Sequence, residues 1–389
     1  MDVLYEYMHN QLTRVPRGFT RYQYERINWD ARMLALVGPR GVGKTTLFLQ
    51  RINRVHNDGS ALYVSADHLY FATHTLYEAA DAFYKNNGKF LFIDEVHKYE
   101  NWSRELKNIY DAFPDMHIYF TGSSVLDIEK GESDLSRRAP RYIMQGLSFR
   151  EFLQIRHGVE APVFPLCDIL ANKADIPGVE HPLPLFREYL RNGYYPFGSD
   201  LDFDIELRQV ITRTLEVDIP QFAGMNMATG RKLLKLMAVV SELVPFKPVM
   251  SDLSKRIGVS RNNVEDYLLY MEKAGMIAQL RTSASGLGAL GKVEKLYLDN
   301  TSILFNLAGE NADIGTVRET FFFNAMRVNE TVLQGPLADF RIGDALFEVG
   351  GKNKTAAQLE GSKNGYVVKD DIERGHAHVI PLWAFGLNY

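Results

Sequence analysis

MLALVGPRGVGKTT, residues 33–46, is the stretch whose reading decides the fold. Met33–Val37 reads as a short buried strand, and Lys44–Val55 as a helix whose Phe48, Ile52 and Val55 recur on one face. Between them Gly38-Pro39-Arg40-Gly41-Val42-Gly43-Lys44-Thr45 fits G-x-x-x-x-G-K-[ST] at every position. Gly38 and Gly43 allow a tight turn that brings backbone N–H groups toward one point. The helix that starts there adds the positive end of its dipole, so a polyphosphate meets donors already aimed at it. Lys44 supplies a compact charge for the β- and γ-phosphates, the Thr45 hydroxyl suits Mg²⁺, and Thr46 adds a hydroxyl on the α-phosphate side. The expected ligands are therefore ATP and Mg²⁺.

Working outward, FLFIDE, residues 90–95, is an apolar strand that ends in two carboxylates. Placed beside the first strand, Asp94 would hold Mg²⁺ through water, while Glu95 would polarise an attacking water. The strand His117–Thr121 runs into Gly122-Ser123-Ser124, where Ser123, with Thr121 close behind, would face the γ-phosphate; a plain turn is the competing reading. Ala61–Ser65 and Tyr142–Gln145 read as further strands, and Thr75–Tyr84 carries a helical pattern. Near-continuous apolar strands separated by helices predict a parallel α/β sheet covered on both faces.

The chain has 389 residues, which at roughly 150 per domain suggests two or three domains. A net charge of −4 excludes a global field that would draw the whole protein to nucleic acid or a membrane surface. With Cys167 as its one cysteine the chain forms no intrachain disulfide and no cysteine-rich zinc site. No apolar run reaches membrane-spanning length and the N-terminus lacks a secretory pattern, so the expectation is a cytoplasmic protein.

Past Phe149 the pattern changes. Pro162, Pro165, Pro177, Pro182 and Pro184 forbid one long helix, and helical segments resume at Leu185–Arg191, Ile205–Asp218 and Gly230–Leu243. From about Pro248, Leu253 and Ile257 mark a short helix stopped by Gly258, and Ser260 caps a second carrying Val264, Leu268 and Met271. Ile277–Arg281 and Val293–Leu298 follow as strands around the glycine-rich SASGLGALGK, residues 283–292, the order of a winged helix. The end of the chain reads as a helix, Val317–Val328, then strands Phe340–Val349, Tyr366–Val368 and Val379–Trp383 of a mixed sheet. The expected division is an ATPase domain over 1–150, a helical lid or connector over 151–245, a winged helix over 246–300 and an α+β domain over 301–389.

GPRGVGKTT, FLFIDEVHKYENWSRELKNIYD, HIYFTGSS and LSRRAPRYIMQGLSFREF together resemble a group of prokaryotic AAA+-type ATPases, and the closing IPLWAFGLNY is similar to that family's ending. The likeness is strong to about Phe152 and looser beyond. It implies ATP binding with slow hydrolysis, and a C-terminal region similar to a winged helix joined to a restriction-endonuclease-like fold. It also singles out Arg138, an arginine that would reach the γ-phosphate of its own or a neighbouring subunit; two solvated surface arginines, Arg137 and Arg138, are the equal alternative. His97 and Lys98 are read as structural members of the loop, with Trp102 packing beneath.

A restriction-endonuclease-like fold places Asp, Glu-x-Lys and a helical Glu around a divalent metal. The matching residues are Glu319, Asp339 and Glu348, but Gly350 stands where the lysine belongs and the next lysine is Lys352. On a strand, residues two apart share a face about 6.6 Å apart and residues four apart lie about 13 Å apart, so Lys352 sits one repeat too far unless Gly350-Gly351 bulges. Ala338 also replaces the acidic residue that tends to precede the Asp. A degenerate nuclease is the better reading. The helix Ser260–Lys273 carries Arg261 and Lys273 against Glu265, Asp266 and Glu272, a net charge of −1 that favours packing over DNA binding, although Arg261, Asn262 and Asn263 leave a DNA contact open. Three functions thus stand: an Mg²⁺-dependent ATPase with regulatory or DNA-associated domains and an open oligomeric state, a nucleotide-switched interaction module, and an ATP-regulated nuclease.

Overall fold

The computed structural model describes residues 1–56, 58–122, 135, 137–282, 292–359 and 362–389. The chain forms two compact units, Met1–Gln145 and Gly146–Tyr389. In the first, β1 (Met33–Val37), β2 (Ala61–Ser65), β3 (Phe90–Asp94), β4 (His117–Thr121) and β5 (Arg141–Ile143) form one sheet ordered β2-β3-β4-β1-β5. Every pairing is parallel. β1 and β2 are buried throughout, as their unbroken apolar runs require.

Helix α1 (Asp2–Leu12), which no motif announces, lies against β2. It covers that strand's open edge: Leu4 is fully buried, and Met8 Sδ accepts the Tyr63 N–H at 3.2 Å. Helices α2 (Lys44–Val55), α3 (Leu76–Lys85) and α4 (Trp102–Ala112) follow. A capping box starts α3, in which Thr75 and Glu78 satisfy each other's backbone N–H groups. Leu76, Ala80 and Phe83 of α3 and Leu106 and Ile109 of α4 enclose one core with Leu62, Leu91, Ile118 and Phe120 of the sheet.

Three expectations change here. β4 separates β1 from β3, so Asp94 is not on the neighbouring strand to the glycine-rich loop. The last strand is Arg141–Ile143 rather than Tyr142–Gln145, because Met144 N–H turns in to the Val37 carbonyl at 2.8 Å. On α2, Phe48 and Ile52 are buried, but Val55 in the last turn is 46% exposed, having run past the sheet.

His56 follows that turn, with its ring centroid 3.9 Å from Phe90's. Burial, helped by Arg51, pushes its pKa down to about 4 from 6.5. The unfolded chain then takes up a proton below about pH 6.5 that the folded chain refuses, so the stability present above that pH is lost as pH falls toward 4. This should remove on the order of 2 kcal/mol over that window. Urea midpoints measured from pH 7 to 4 should show a steeper decline for the parent than for His56→Phe; identical slopes would exclude His56 as a source.

In the second unit, α5 (Phe149–His157) opens with a Ser148–Glu151 capping box. The proline-rich stretch yields only the short helices Leu166–Leu170 and Pro182–Glu188, the second with proline in its first turn. Longer helices are α6 (Phe203–Arg213), α7 (Met227–Leu243), α8 (Met250–Ile257) and α9 (Arg261–Lys273), the last capped by Ser260, whose side chain accepts from Asn263 N–H. An antiparallel pair, β6 (Ile277–Arg281) and β7 (Val293–Leu298), comes next. Then α10 (Thr301–Ala308) and α11 (Ile314–Met326) precede a mixed sheet of β8 (Val332–Leu333), β9 (Phe340–Ile342), β10 (Ala345–Gly350), β11 (Gly365–Lys369) and β12 (Val379–Pro381). The stretch Phe340–Val349, read as one strand, is two antiparallel strands, because Gly343 at φ 56° reverses the chain. Phe149, Phe186, Tyr189 and Phe321 interlock in this unit's core.

Candidate functional site

The loop between β1 and α2 holds its shape by glycine. Gly38, Gly41 and Gly43 have φ of 150°, 82° and 98°. At Gly38 an added Cβ would stand 2.1 Å from the Met144 carbonyl oxygen, so space as well as conformation demands glycine. Pro39 and Val42 are buried, Arg40, Thr45 and Thr46 half-buried, and Gly41 exposed. The buried Lys44 donates from Nζ to the carbonyls of Gly38 and Pro39, both at 2.8 Å. Neutral carbonyls are weaker partners for an ammonium than charged oxygens are. Arg21 braces the loop from outside the motif: its guanidinium, 5% exposed, donates to the carbonyl of Val42 and, at 2.7 Å, to that of Gln145.

Asp94 meets this loop directly. Thr45 Oγ1 donates to Asp94 Oδ2 at 2.6 Å, and Tyr63 OH donates to the same oxygen at 2.8 Å. Thr121 Oγ1 donates to Asp94 Oδ1. Hydroxyls from α2, β2 and β4 thus converge on one carboxylate at the end of β3. Burial, followed by the Asp94 charge, pushes the Tyr63 phenol up, which keeps it a donor. Tyr7 of α1 stacks on Tyr63 with centroids 6.0 Å apart.

Glu95 leaves the strand in a left-handed conformation, φ 51° and ψ 44°, and its N–H donates to Thr121 Oγ1 at 3.0 Å. Its Oε2 is paired with Lys98 Nζ. Lys98 also reaches Asp67 Oδ2 at 2.6 Å, and Asp67 Oδ1 accepts from Ser65 Oγ at 2.5 Å. Burial works against the Lys98 ammonium, but bonds to Asp67 and Glu95 outweigh it and hold its pKa above the ordinary lysine value. Burial lowers His97 to about 4 against the pull of Glu95, so this ring is neutral at pH 7.

Ser123 lies outside the described residues. Arg138 stands over the Tyr110 ring at 5.7 Å and 3.5 Å from Asp111 Oδ1. The residues that motif reading passed over are Arg21, Tyr63 and Asp67. None belongs to a motif: strand order brings Tyr63 and Asp67 here, and Arg21 reaches the loop from the segment before β1.

In the second unit, Lys295 Nζ lies between Glu319 Oε2 at 3.1 Å and Asp339 Oδ1 at 3.5 Å. Tyr297 OH donates to Glu319 Oε2 at 2.6 Å and Val349 N–H to Asp339 Oδ2 at 3.0 Å. Burial, then the Asp339 charge, raises the Glu319 carboxyl despite Lys295. Glu348, 1% exposed, pairs with Lys354 at 2.6 Å, so Lys354 and not the exposed Lys352 is its lysine. Lys354 folds back over Gly350, where a side chain would collide with it. Among the described residues no three or more His, Cys, Asp or Glu side chains gather to hold a metal. The Lys295 ammonium is the cation these two acids share in this structure.

Residues 30–153 match the model of an AAA domain. That match covers less than half of the chain. Residues 183–313 match a domain of unknown function (DUF8612), which runs from the helical segments through β7 to α10. No curated protein matches. Similar solved structures include the Walker-type ATPase paby2304 of Pyrococcus abyssi (12% identity, TM-score 0.46, 76% of this chain and 99% of that chain). The S. cerevisiae Hsp104-ADP complex (16%, 0.34, 69% and 40%) and C. elegans PCH-2 (15%, 0.27, 69% and 67%) are others. At such TM-scores the likeness carries no argument. The first unit brings the glycine-rich loop, Asp94 and Glu95 together, and no helix of the described residues is long and apolar enough to cross a membrane.

Proposed function

We propose that the AAA domain binds ATP with Mg²⁺ and hydrolyses it, and that residues 146–389 respond to its nucleotide state. The observation that carries this is the 2.6 Å contact between Thr45 and Asp94, which joins the phosphate loop to the acid of a strand two places away in the sheet. Gly38, Pro39, Arg40, Gly41, Val42 and Gly43 would wrap the phosphates, with Lys44 turning from its carbonyl partners to the β- and γ-oxygens and Thr46 nearer the α-phosphate. Thr45 and Asp94 would hold Mg²⁺, which when bound offsets phosphate charge. Glu95 would accept a proton from the attacking water. Ser123 would contact the γ-phosphate, and Arg138 would leave Asp111 to stabilise charge there, in its own or a neighbouring subunit.

We read α8, α9 and the β6–β7 pair as a winged helix, on their order, and the last mixed sheet as a degenerate restriction-endonuclease-like domain. The inward positions of α9, Val264, Tyr267, Leu268 and Met271, are buried, while the outward face carries Glu265 and Asp266, whose charge disfavours DNA. Phosphate release measured with ATP should require Mg²⁺ and stop with a chelator. Release that persists without divalent cations would overturn the proposal.

A further inference from the structure

We propose that Lys98 and Asp67 are positioning residues that aim Glu95 at the attacking water, an inference that rests on the ATPase reading above. Glu95 is fixed from two sides of β3. From β4, Thr121 Oγ1 takes its N–H at 3.0 Å; from the end of β2, Asp67 holds the lysine that holds its carboxylate. The tie to β2 is firm, because Ala66 N–H donates to the Asp94 carbonyl at 2.9 Å and Ser65 secures Asp67. The tight turn after β3, closed by Lys98 N–H on the Glu95 carbonyl at 3.0 Å, brings the two side chains together.

The chemistry follows from what each oxygen is doing. Lys98 takes Oε2, and Oε1 would then be the oxygen that meets the water. A base oriented by a third group is the general logic of catalytic triads. The Lys98 and Glu95 side chains are 21% and 22% exposed, so the pair is less screened than a surface one.

Variants Lys98→Met, Lys98→Arg and Asp67→Asn separate positioning from a structural tie. Lys98→Met should lower kcat about 10–100-fold, with KM and the affinity for a non-hydrolysable ATP analogue within about twofold of the parent. Lys98→Arg should restore most of that loss, and Asp67→Asn should show the same signature more weakly. In a Glu95→Gln background, Lys98→Met should cost nothing further in single-turnover rate, since its effect runs through the missing base. Full kcat in Lys98→Met, or a loss that multiplies onto Glu95→Gln, would refute the inference. So would a fall in analogue affinity that tracks a fall in Tm. A parent chain that releases no phosphate would instead defeat the ATPase reading, before any variant is compared.

Discussion

Glu95→Gln should bind ATP as tightly as the parent and release phosphate about 10²–10⁴ times more slowly. The substitution keeps the size of the side chain and, at the amide oxygen, an acceptor for Lys98. It removes the proton acceptor. Because Glu95 N–H is bonded to Thr121 through the backbone, the turn after β3 should keep its shape. Asp94 keeps its three hydroxyl donors, so the end of the strand is untouched. The comparison needs two measurements on each protein: analogue binding by calorimetry and steady-state phosphate release. Equal turnover in the two proteins would remove Glu95 from the chemistry. Lost binding would make it a structural residue. Negligible turnover in the parent, with tight binding, would favour the nucleotide-switched module instead.

For Lys44→Ala the expected loss is in binding itself, by at least about 10²-fold, with phosphate release at background. Lys44 is buried and its Nζ makes two 2.8 Å bonds to carbonyls of its own loop. A bound triphosphate offers the ammonium charged oxygens in place of neutral ones, a gain because bonds between two charged groups are the stronger ones. Alanine forfeits that gain. It also leaves the Gly38 and Pro39 carbonyls without this donor at the mouth of the cradle. Thermal unfolding controls for the second effect, since a damaged loop would lower Tm in the absence of nucleotide. Retained affinity in a folded Lys44→Ala protein would mean that the triphosphate does not sit on this loop.

Much of the first unit could be read from the chain alone. Four of its five strands stand at Met33–Val37, Ala61–Ser65, Phe90–Asp94 and His117–Thr121, the residues their apolar runs mark out. They are legible because a strand buried on both faces must be apolar at every position. Gly38 could be named as an obligatory glycine, but not the Met144 carbonyl that would strike its Cβ. Helix α1 and Arg21 stayed hidden, since neither carries a periodic pattern or motif. At the C-terminal acids the chain pointed to Lys352, whereas the fold supplied Lys354 to Glu348 and Lys295 to Glu319 and Asp339.

What sequence by itself determined is the local chemistry: a turn built from glycines, an ammonium and a hydroxyl next to it, and two consecutive acids after an apolar run. Neighbours along the chain stay neighbours in any fold, so these groups could be assigned before any coordinates. Only the tertiary structure decided that β4 would lie between β1 and β3, and that Tyr63 and Asp67 would come from β2 and the turn after it to the two acids. Strand order depends on how distant segments bury their faces against one another, and that balance is written in no single stretch of residues.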